Sequence, residues 1–364
     1  MIAVSPAARE WLAGFRPPVR LTVSEWAQAH RRLPETSAAR GARWDNATAP
    51  YLVGIMDAAL ERGARVVSVA KAAQCGVSEA LVNVVGYLIE HRPCPVLFVL
   101  PTASAAAAFG KERLSDAIRS TPGLRARVTD RRVPASSGLP ESTQALRMYP
   151  GGYLALAAGG TPNSVARWSV KVAIMDDCDR VPAFVGAEGD PALLLQNRVT
   201  SYYDGIVMYV STPVLRGGRI ETIYSQSDQR RFFLQCPACS RWDFTTWKDE
   251  KHWFVKFDER NPATARLHCP CGHDVREPER MALVRAGEWR PTAEPLSRGN
   301  VGFHVPGMIS PFLTLERMAD RFLLAHGSGP RKLREFVCTV LGEGWRDEAS
   351  SIAPDDLRAR LEDF

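Results

Sequence analysis

Residues 71–78 read K-A-A-Q-C-G-V-S. An ammonium, small side chains, one glycine and a hydroxyl in this order form a set that can cradle phosphate. Glycine lets the backbone approach an anion closely. A helix opening at this point adds free N–H groups and a partial positive charge. The usual pattern, G-x-x-x-x-G-K-[ST], sets the lysine just before the hydroxyl; here Lys71 opens the loop and Ser78 closes it. The ammonium can still reach the terminal phosphates of a nucleoside triphosphate, and Ser78 keeps the Mg²⁺ position. The candidate phosphate and Mg²⁺ residues are Lys71, Gln74, Cys75, Gly76, Val77, Ser78 and Glu79. A second pair of groups, Asp176 and Asp177, ends the apolar run 172–175. A carboxylate at a strand end holds the Mg²⁺ water shell, and a neighbouring acid polarises the attacking water. Asp176 is the expected ligand and Asp177 the expected base, with Lys71 as its catalytic partner. A plain solvated acidic turn is the alternative.

Ser211-Thr212-Pro213 follows a third apolar run and is expected to sense the terminal phosphate and relay its loss. Trp44 and Tyr51, upstream of the loop, are the candidates for an adenine-stacking face, with core packing as the alternative. Cys236-Pro-Ala-Cys239 is a C-x₂-C knuckle, and Cys269-Pro-Cys271 forms a tighter second half. Two such halves read as a zinc ribbon with four thiolate ligands, a structural site with no open position. His268 is an alternative ligand, because it restores the x₂ spacing with Cys271. Arg216, Arg219, Arg230, Arg231 and Arg276 could line a DNA phosphate track. Arg113 and Arg198 are guesses for a charge-stabilising arginine.

These groups need elements to hold them. Apolar runs at 65–70, 95–100, 151–158, 171–175 and 206–210 read as strands separated by helical patterns at 79–89 and 103–120. That alternation predicts a parallel sheet with helices on both faces. Ligands in such sheets bind beyond the carboxyl ends of the strands, where Lys71, Asp176 and Ser211 all fall. Residues 7–15, 23–30 and 51–62 read as short helices, 125–143 as a polar surface loop, and 315–326 and 332–342 as further helices. The expected domains are a helical extension at 1–50, a nucleotide-binding core at 51–222, a β subdomain at 223–285 and a helical segment at 286–364.

The chain has 364 residues, 45% hydrophobic and 24% charged, with a net charge of +6. These values fit a globular protein and permit nucleic-acid contact. No run of apolar residues is long enough to span a membrane, and the N-terminus lacks a secretory pattern. Cys75, Cys94, Cys178 and Cys338 are scattered, as in a reduced compartment.

Together the residues resemble the ATPase part of the large terminase subunit of lambda-type tailed phages. The carriers are the loop with its leading lysine and Q-x-G-x-S-E ending, V-L-F-V-L-P-T at 96–102, D-D-C-D-R-V-P at 176–182 and S-T-P at 211–213. S-D-Q-R-R-F-F-L-Q-C-P-A-C at 227–239, G-E-W at 287–289, V-G-F-H at 301–304 and L-G-E-G-W at 341–345 continue the series. The resemblance implies a P-loop NTPase of the helicase-like type and a DNA-packaging motor using ATP and Mg²⁺. It further implies double-stranded DNA, a small terminase subunit and the portal or prohead as partners, a homo-oligomeric ring, and work in the cytoplasm of the bacterial host. Two departures stand out: Asp177 replaces a usual glutamate, and Val77 stands where many relatives carry a second lysine. Asp355, Asp356, Glu362 and Asp363 lie in a short tail, so no nuclease portion is expected. Two rival readings are a helicase-like translocase outside phage assembly, and a prophage remnant or DNA-binding scaffold that binds nucleotide with little turnover.

Overall fold

The computed structural model describes residues 20–37, 39–128, 145–184 and 189–346. The helical reading of 7–15 and the acidic tail at 355–363 lie outside them, as does most of the polar run at 125–143.

Six strands come first: β1 (Val66–Lys71), β2 (Val96–Leu100), β3 (Leu146–Tyr149), β4 (Gly152–Ala158), β5 (Val172–Asp176) and β6 (Ile206–Ser211). The runs of β2, β4, β5 and β6 are apolar rather than alternating, because central strands are covered on both faces; β3 (L-R-M-Y), at the edge, alternates in burial. Six more form a second sheet: β7 (Arg231–Gln235), β8 (Trp242–Thr246), β9 (Trp253–Asp258), β10 (Asn261–His268), β11 (Asp274–Val275) and β12 (Glu288–Arg290). The chain then returns to the first sheet as β13 (Asn300–Val305). The large sheet has the order β13-β1-β6-β5-β2-β4-β3. All its pairings are parallel except β3 with β4. The expected parallel α/β sheet is therefore present, and β6 lies between the loop strand β1 and the acidic strand β5.

Two expected boundaries change. The core does not end at 222, since β13 pairs in register with β1, from Val66 opposite Asn300 to Lys71 opposite Val305. The small sheet does not end at 285, since β12 pairs with β7. The first strand was legible as an isolated apolar run, whereas β13 (N-V-G-F-H-V) carries a glycine and a histidine that hide it. The expected helix over 103–120 contains a π-helical turn at Phe109–Leu114.

The Val77–Glu90 helix runs from the phosphate loop back across the sheet. Packed on it are the Val23–His30 helix, closed by a Thr22/Glu25 capping box, and the Tyr51–Ala58 helix. Buried Arg31 fixes the first of these contacts, donating Nε to Asn83 Oδ1 at 3.1 Å and Nη2 to Glu79 Oε2 at 3.3 Å. At the outer edge, Trp289 Nε1 donates to the Tyr51 carbonyl at 2.8 Å, and its ring meets Phe303 and Phe232 edge-on. The small sheet packs through Trp247 on Phe322 and Phe336 of the C-terminal helices.

The base of the phosphate loop is held from the C-terminal side. Ala72 N–H donates to the Val305 carbonyl and Ala73 N–H to the Thr339 carbonyl, both at 2.8 Å. Gly342 ends that segment with φ +68°, and a β-carbon there would lie 2.8 Å from Ala72 N and 2.9 Å from the Lys71 carbonyl carbon. Gly342→Ala must therefore strain its own backbone and push on the loop. We expect about 1–3 kcal/mol of lost stability in denaturant unfolding; an unchanged midpoint would show that the close approach is not real.

Candidate nucleotide site and metal centre

Lys71 is the last residue of β1, and Ala72 to Gly76 form the turn into the Val77–Glu90 helix. Gln74 (φ +57°) and Gly76 (φ +81°) are both left-handed. Alternating backbone handedness turns successive N–H groups to one side and makes an anion-binding concavity. Among the described residues, the N–H groups of Gln74, Gly76 and Ser78 have no protein acceptor. A left-handed non-glycine such as Gln74 is a strained residue of the kind that gathers at functional sites. Cys75 and Val77 point their side chains into the core, where burial pushes the Cys75 thiol up. Glu79 lies one turn into the helix and pairs with Arg31.

Asp176 ends β5 and is only 6% exposed. Its Oδ2 accepts from Ser78 Oγ at 2.8 Å, and its Oδ1 accepts the Asp177 N–H at 3.0 Å. Burial pushes the carboxyl up from its usual range, while the Lys71 ammonium opposes that shift. A buried carboxylate bonded to a serine hydroxyl, beside an ammonium, fits a site for Mg²⁺ carried by a triphosphate. Asp177 is left-handed (φ +55°), which swings its carboxylate off the strand. It lies 3.9 Å from Lys71 Nζ and 3.5 Å from Arg180 Nη1. Arg180 was not singled out in the sequence; it stands three positions after Asp177, on the short helical turn that follows.

Ser211 stands opposite Ala70 of β1, and its neighbour Val210 stands opposite Asp176 of β5. Strand register thus brings the loop, the acids and the S-T-P turn to one edge. Asp179 joins the last two. Its N–H donates to Ser211 Oγ at 3.2 Å. Its carboxylate accepts from Val214 N at 3.2 Å and from Ile220 N at 2.7 Å. Arg219 returns the link, donating to the carbonyls of Cys178, Val181 and Pro182 and to Asp190.

Several expectations change. Tyr51 is fully buried, and its hydroxyl donates to the Cys75 carbonyl at 2.7 Å. It holds the loop and has no face for a base. Trp44 is also buried, with Nε1 on Asn46 Oδ1 at 2.8 Å. Arg198 is spent on the carbonyls of Leu194 and Ala166. Arg230 pairs with Glu61 and Asp228, Arg231 meets His304, and Arg219 is committed as above. Only Arg216 and Arg276 of the expected basic track are exposed.

The four thiols of Cys236, Cys239, Cys269 and Cys271 converge, with all Sγ atoms within 4.8 Å of one another. Cys236 and Cys271 Sγ are 3.8 Å apart, and Cys239 and Cys269 Sγ are 3.9 Å apart. A tetrahedral zinc with Zn–S near 2.3 Å sets its sulfurs about 3.8 Å apart, so this donor set fits zinc. The C-x-C half succeeds because left-handed Gly272 reverses the chain, letting Cys269 N–H bond the His273 carbonyl at 2.9 Å. The His273 N–H lowers the Cys271 thiol to about 7. His268 is not a ligand here: its Nδ1 lies 2.6 Å from Asp274 Oδ1 and its ring packs on Phe254.

A family model described as "Phage terminase large subunit gpA, ATPase domain" matches residues 37–289. The chain belongs to that family. The "Terminase, large subunit" of Enterobacteria phage P21 is 28% identical over 352 residues, covering 91% of this chain and 53% of the relative. That of Escherichia phage lambda is 29% identical over 356 residues, covering 91% and 54%. The chain thus spans about half the length of these curated relatives. Among solved structures, the Thermus phage P74-26 large terminase ATPase domain aligns with a TM-score of 0.44 at 14% identity, covering 80% of this chain and 96% of that one. The HK97 bacteriophage large terminase aligns with a TM-score of 0.43 at 13% identity, covering 56% and 40%. A second family model, "Terminase large subunit gpA, endonuclease domain", matches residues 300–364. The expectation that no nuclease portion is present is therefore not confirmed. The matched stretch opens on β13, a strand of the ATPase sheet.

Asp179→Ala removes the acceptor for two backbone N–H groups between the acidic turn and the S-T-P segment. We expect about 2 kcal/mol of lost stability by urea unfolding, the cost of stranding buried donors. A change within error would mean that the two segments hold together without it.

Proposed function

We propose that the chain is the ATP-hydrolysing part of a phage DNA-packaging motor. The observation that carries the reading is the convergence of Lys71, Ser78, Asp176 and Asp177 at one sheet edge, beside three N–H groups without a protein acceptor among the described residues. The loop binds the triphosphate through its N–H groups and the Lys71 ammonium. Ser78 and Asp176 are the groups to hold Mg²⁺, which neutralises phosphate charge. Asp177 orients and deprotonates the attacking water. Loss of the terminal phosphate is read at the same edge by Ser211, Thr212 and Pro213, and Asp179 carries the movement to Val214 and Ile220. Double-stranded DNA is the track. A small terminase subunit and the portal or prohead are the proposed partners, with copies of this chain forming a ring in the host cytoplasm. Among the described residues, no helix is long and apolar enough to cross a membrane.

One observation favours a slower relative of this reading. The Asp177 carboxylate faces two cations, Lys71 and Arg180, which occupy the oxygens an attacking water needs. Nucleotide binding with little turnover follows if those pairs persist.

Steady-state ATPase assays with and without duplex DNA test both. We expect Lys71→Ala to lose about 10²–10³-fold in turnover, as when a preorganised charge donor is removed. Intact activity in that variant sinks the loop assignment. Asp177→Glu is expected to gain activity if the shorter acid limits the reaction, since a misplacement of about 1 Å can cost 10²-fold.

Zinc in the four-cysteine site is a second part of the proposal. Elemental analysis is expected to find about one zinc per chain. Cys236→Ser is expected to lose the metal and lower the melting temperature. A metal-free wild type with an unchanged melting curve after chelation contradicts it.

A further inference from the structure

Phe312 stands 50% exposed, with its ring against the phosphate loop. A β-carbon placed on Gly76 would lie 3.3 Å from Phe312 Cε2 and 3.2 Å from Leu52 Cδ1. Among the described residues, the other large exposed apolar side chains are Phe184, Leu193, Tyr203, Leu215, Leu296 and Leu324. The two rings expected to stack adenine, Trp44 and Tyr51, are buried.

The backbone beneath Phe312 is pinned. Arg280, itself fully buried, donates to the carbonyls of Met308 at 2.6 Å, Ser310 at 3.1 Å and Leu313 at 3.2 Å. Glu277 holds that guanidinium and also accepts the Leu315 N–H at 3.0 Å. Ser310 Oγ accepts the Phe312 N–H at 3.3 Å and lies 3.5 Å from the Tyr51 hydroxyl, which bonds the Cys75 carbonyl. One hydrogen-bonded chain thus ties the Phe312 segment to the loop itself. A mobile loop can leave a phenyl exposed at random. A segment fastened at three carbonyls presents it at a fixed place.

We propose that Phe312 is the stacking face for the nucleotide's base. The inference rests on the reading of residues 71–78 as a phosphate loop. A triphosphate seated there carries its base a sugar's length away, within reach of a ring that borders Gly76. A phenyl ring offers a π-face and no hydrogen bond, so it recognises a base by its plane and not its edge. ATP and GTP are therefore expected to bind alike.

The test is calorimetric titration of the full chain with ATP, GTP and inorganic tripolyphosphate, each with Mg²⁺. Phe312→Ala is expected to weaken ATP and GTP about 5- to 100-fold, the usual range for losing a base–aromatic stack. Tripolyphosphate, which has no base, keeps its affinity. Phe312→Leu, which keeps apolar bulk without a π-face, loses as much as Phe312→Ala, and Phe312→Tyr stays close to wild type. Unchanged ATP binding in Phe312→Ala overturns the proposal. Equal losses for ATP and tripolyphosphate overturn it too, since the ring then only shapes the loop. A wild type that binds neither nucleotide nor tripolyphosphate overturns the phosphate-loop reading, and this inference with it.

Discussion

Two buried, opposite charges set the terms for the rest of the molecule. Lys71 is 8% exposed and Asp176 is 6% exposed. A buried charge without a partner costs several kcal/mol; Asp176 accepts from Ser78 Oγ, and Lys71 Nζ lies 3.9 Å from Asp177. Lys71 and Asp176 come from strands that do not touch. β6 lies between β1 and β5, so both residues reach one edge only if three strands end at the same level. The register does this, with Ala70 opposite Ser211 and Asp176 opposite Val210. Ser78 gives the carboxylate a hydroxyl from the next helix, and the fold is thereby fixed at the edge where a triphosphate's charge can enter.

The phosphate loop is an unfavourable piece of backbone held by its neighbours. Gln74 and Gly76 are left-handed, and part of the loop's N–H set is unpaired within the chain. Compensation comes from residues far away in sequence. Val305 and Thr339 take the N–H groups at its base, Tyr51 takes the Cys75 carbonyl, and Gly342 packs directly on its backbone. The segment that matches the endonuclease model thus contributes support to the ATPase loop. Sequence families divide near residue 300, but the hydrogen bonds do not.

The strands behind the candidate site were legible in the sequence, because central parallel strands leave unbroken apolar runs, and the candidate loop and acids stand at their ends. Long-range support was not. β13 carries Gly302 and His304 where an apolar run would be expected. Gly302 sits against Ser227, and His304 bonds the Gly342 carbonyl and Arg231. Their reasons are tertiary, and no local pattern announces them. The adenine expectation failed for a related reason. Tyr51 and Trp44 stand at the right place in the chain, but aromatic type cannot tell a ring that packs inward from one that faces a ligand. The arginines mislead similarly: Arg219, Arg230 and Arg231 are internal ties, which spacing alone cannot separate from a DNA track.

The two ties that reach the nucleotide edge differ in what they can do. Arg280 is fully buried, with carbonyls and Glu277 filling its donors. Breaking that set strands several buried groups at once, so it has no second arrangement of similar energy and acts as a fixed bracket. Asp179 is different. It is a single carboxylate serving Val214 and Ile220, three residues after Asp176, and its own N–H leans on Ser211. Burial already pushes that carboxyl up, against its backbone donors. A small displacement of the acidic turn can trade one of its bonds without exposing a core. Coupling between sites requires an element with two arrangements of similar energy. On the proposed reading, coupling falls to Asp179 and the helix whose Ile220 N–H it accepts, and the buried Arg280 set is the fixed part.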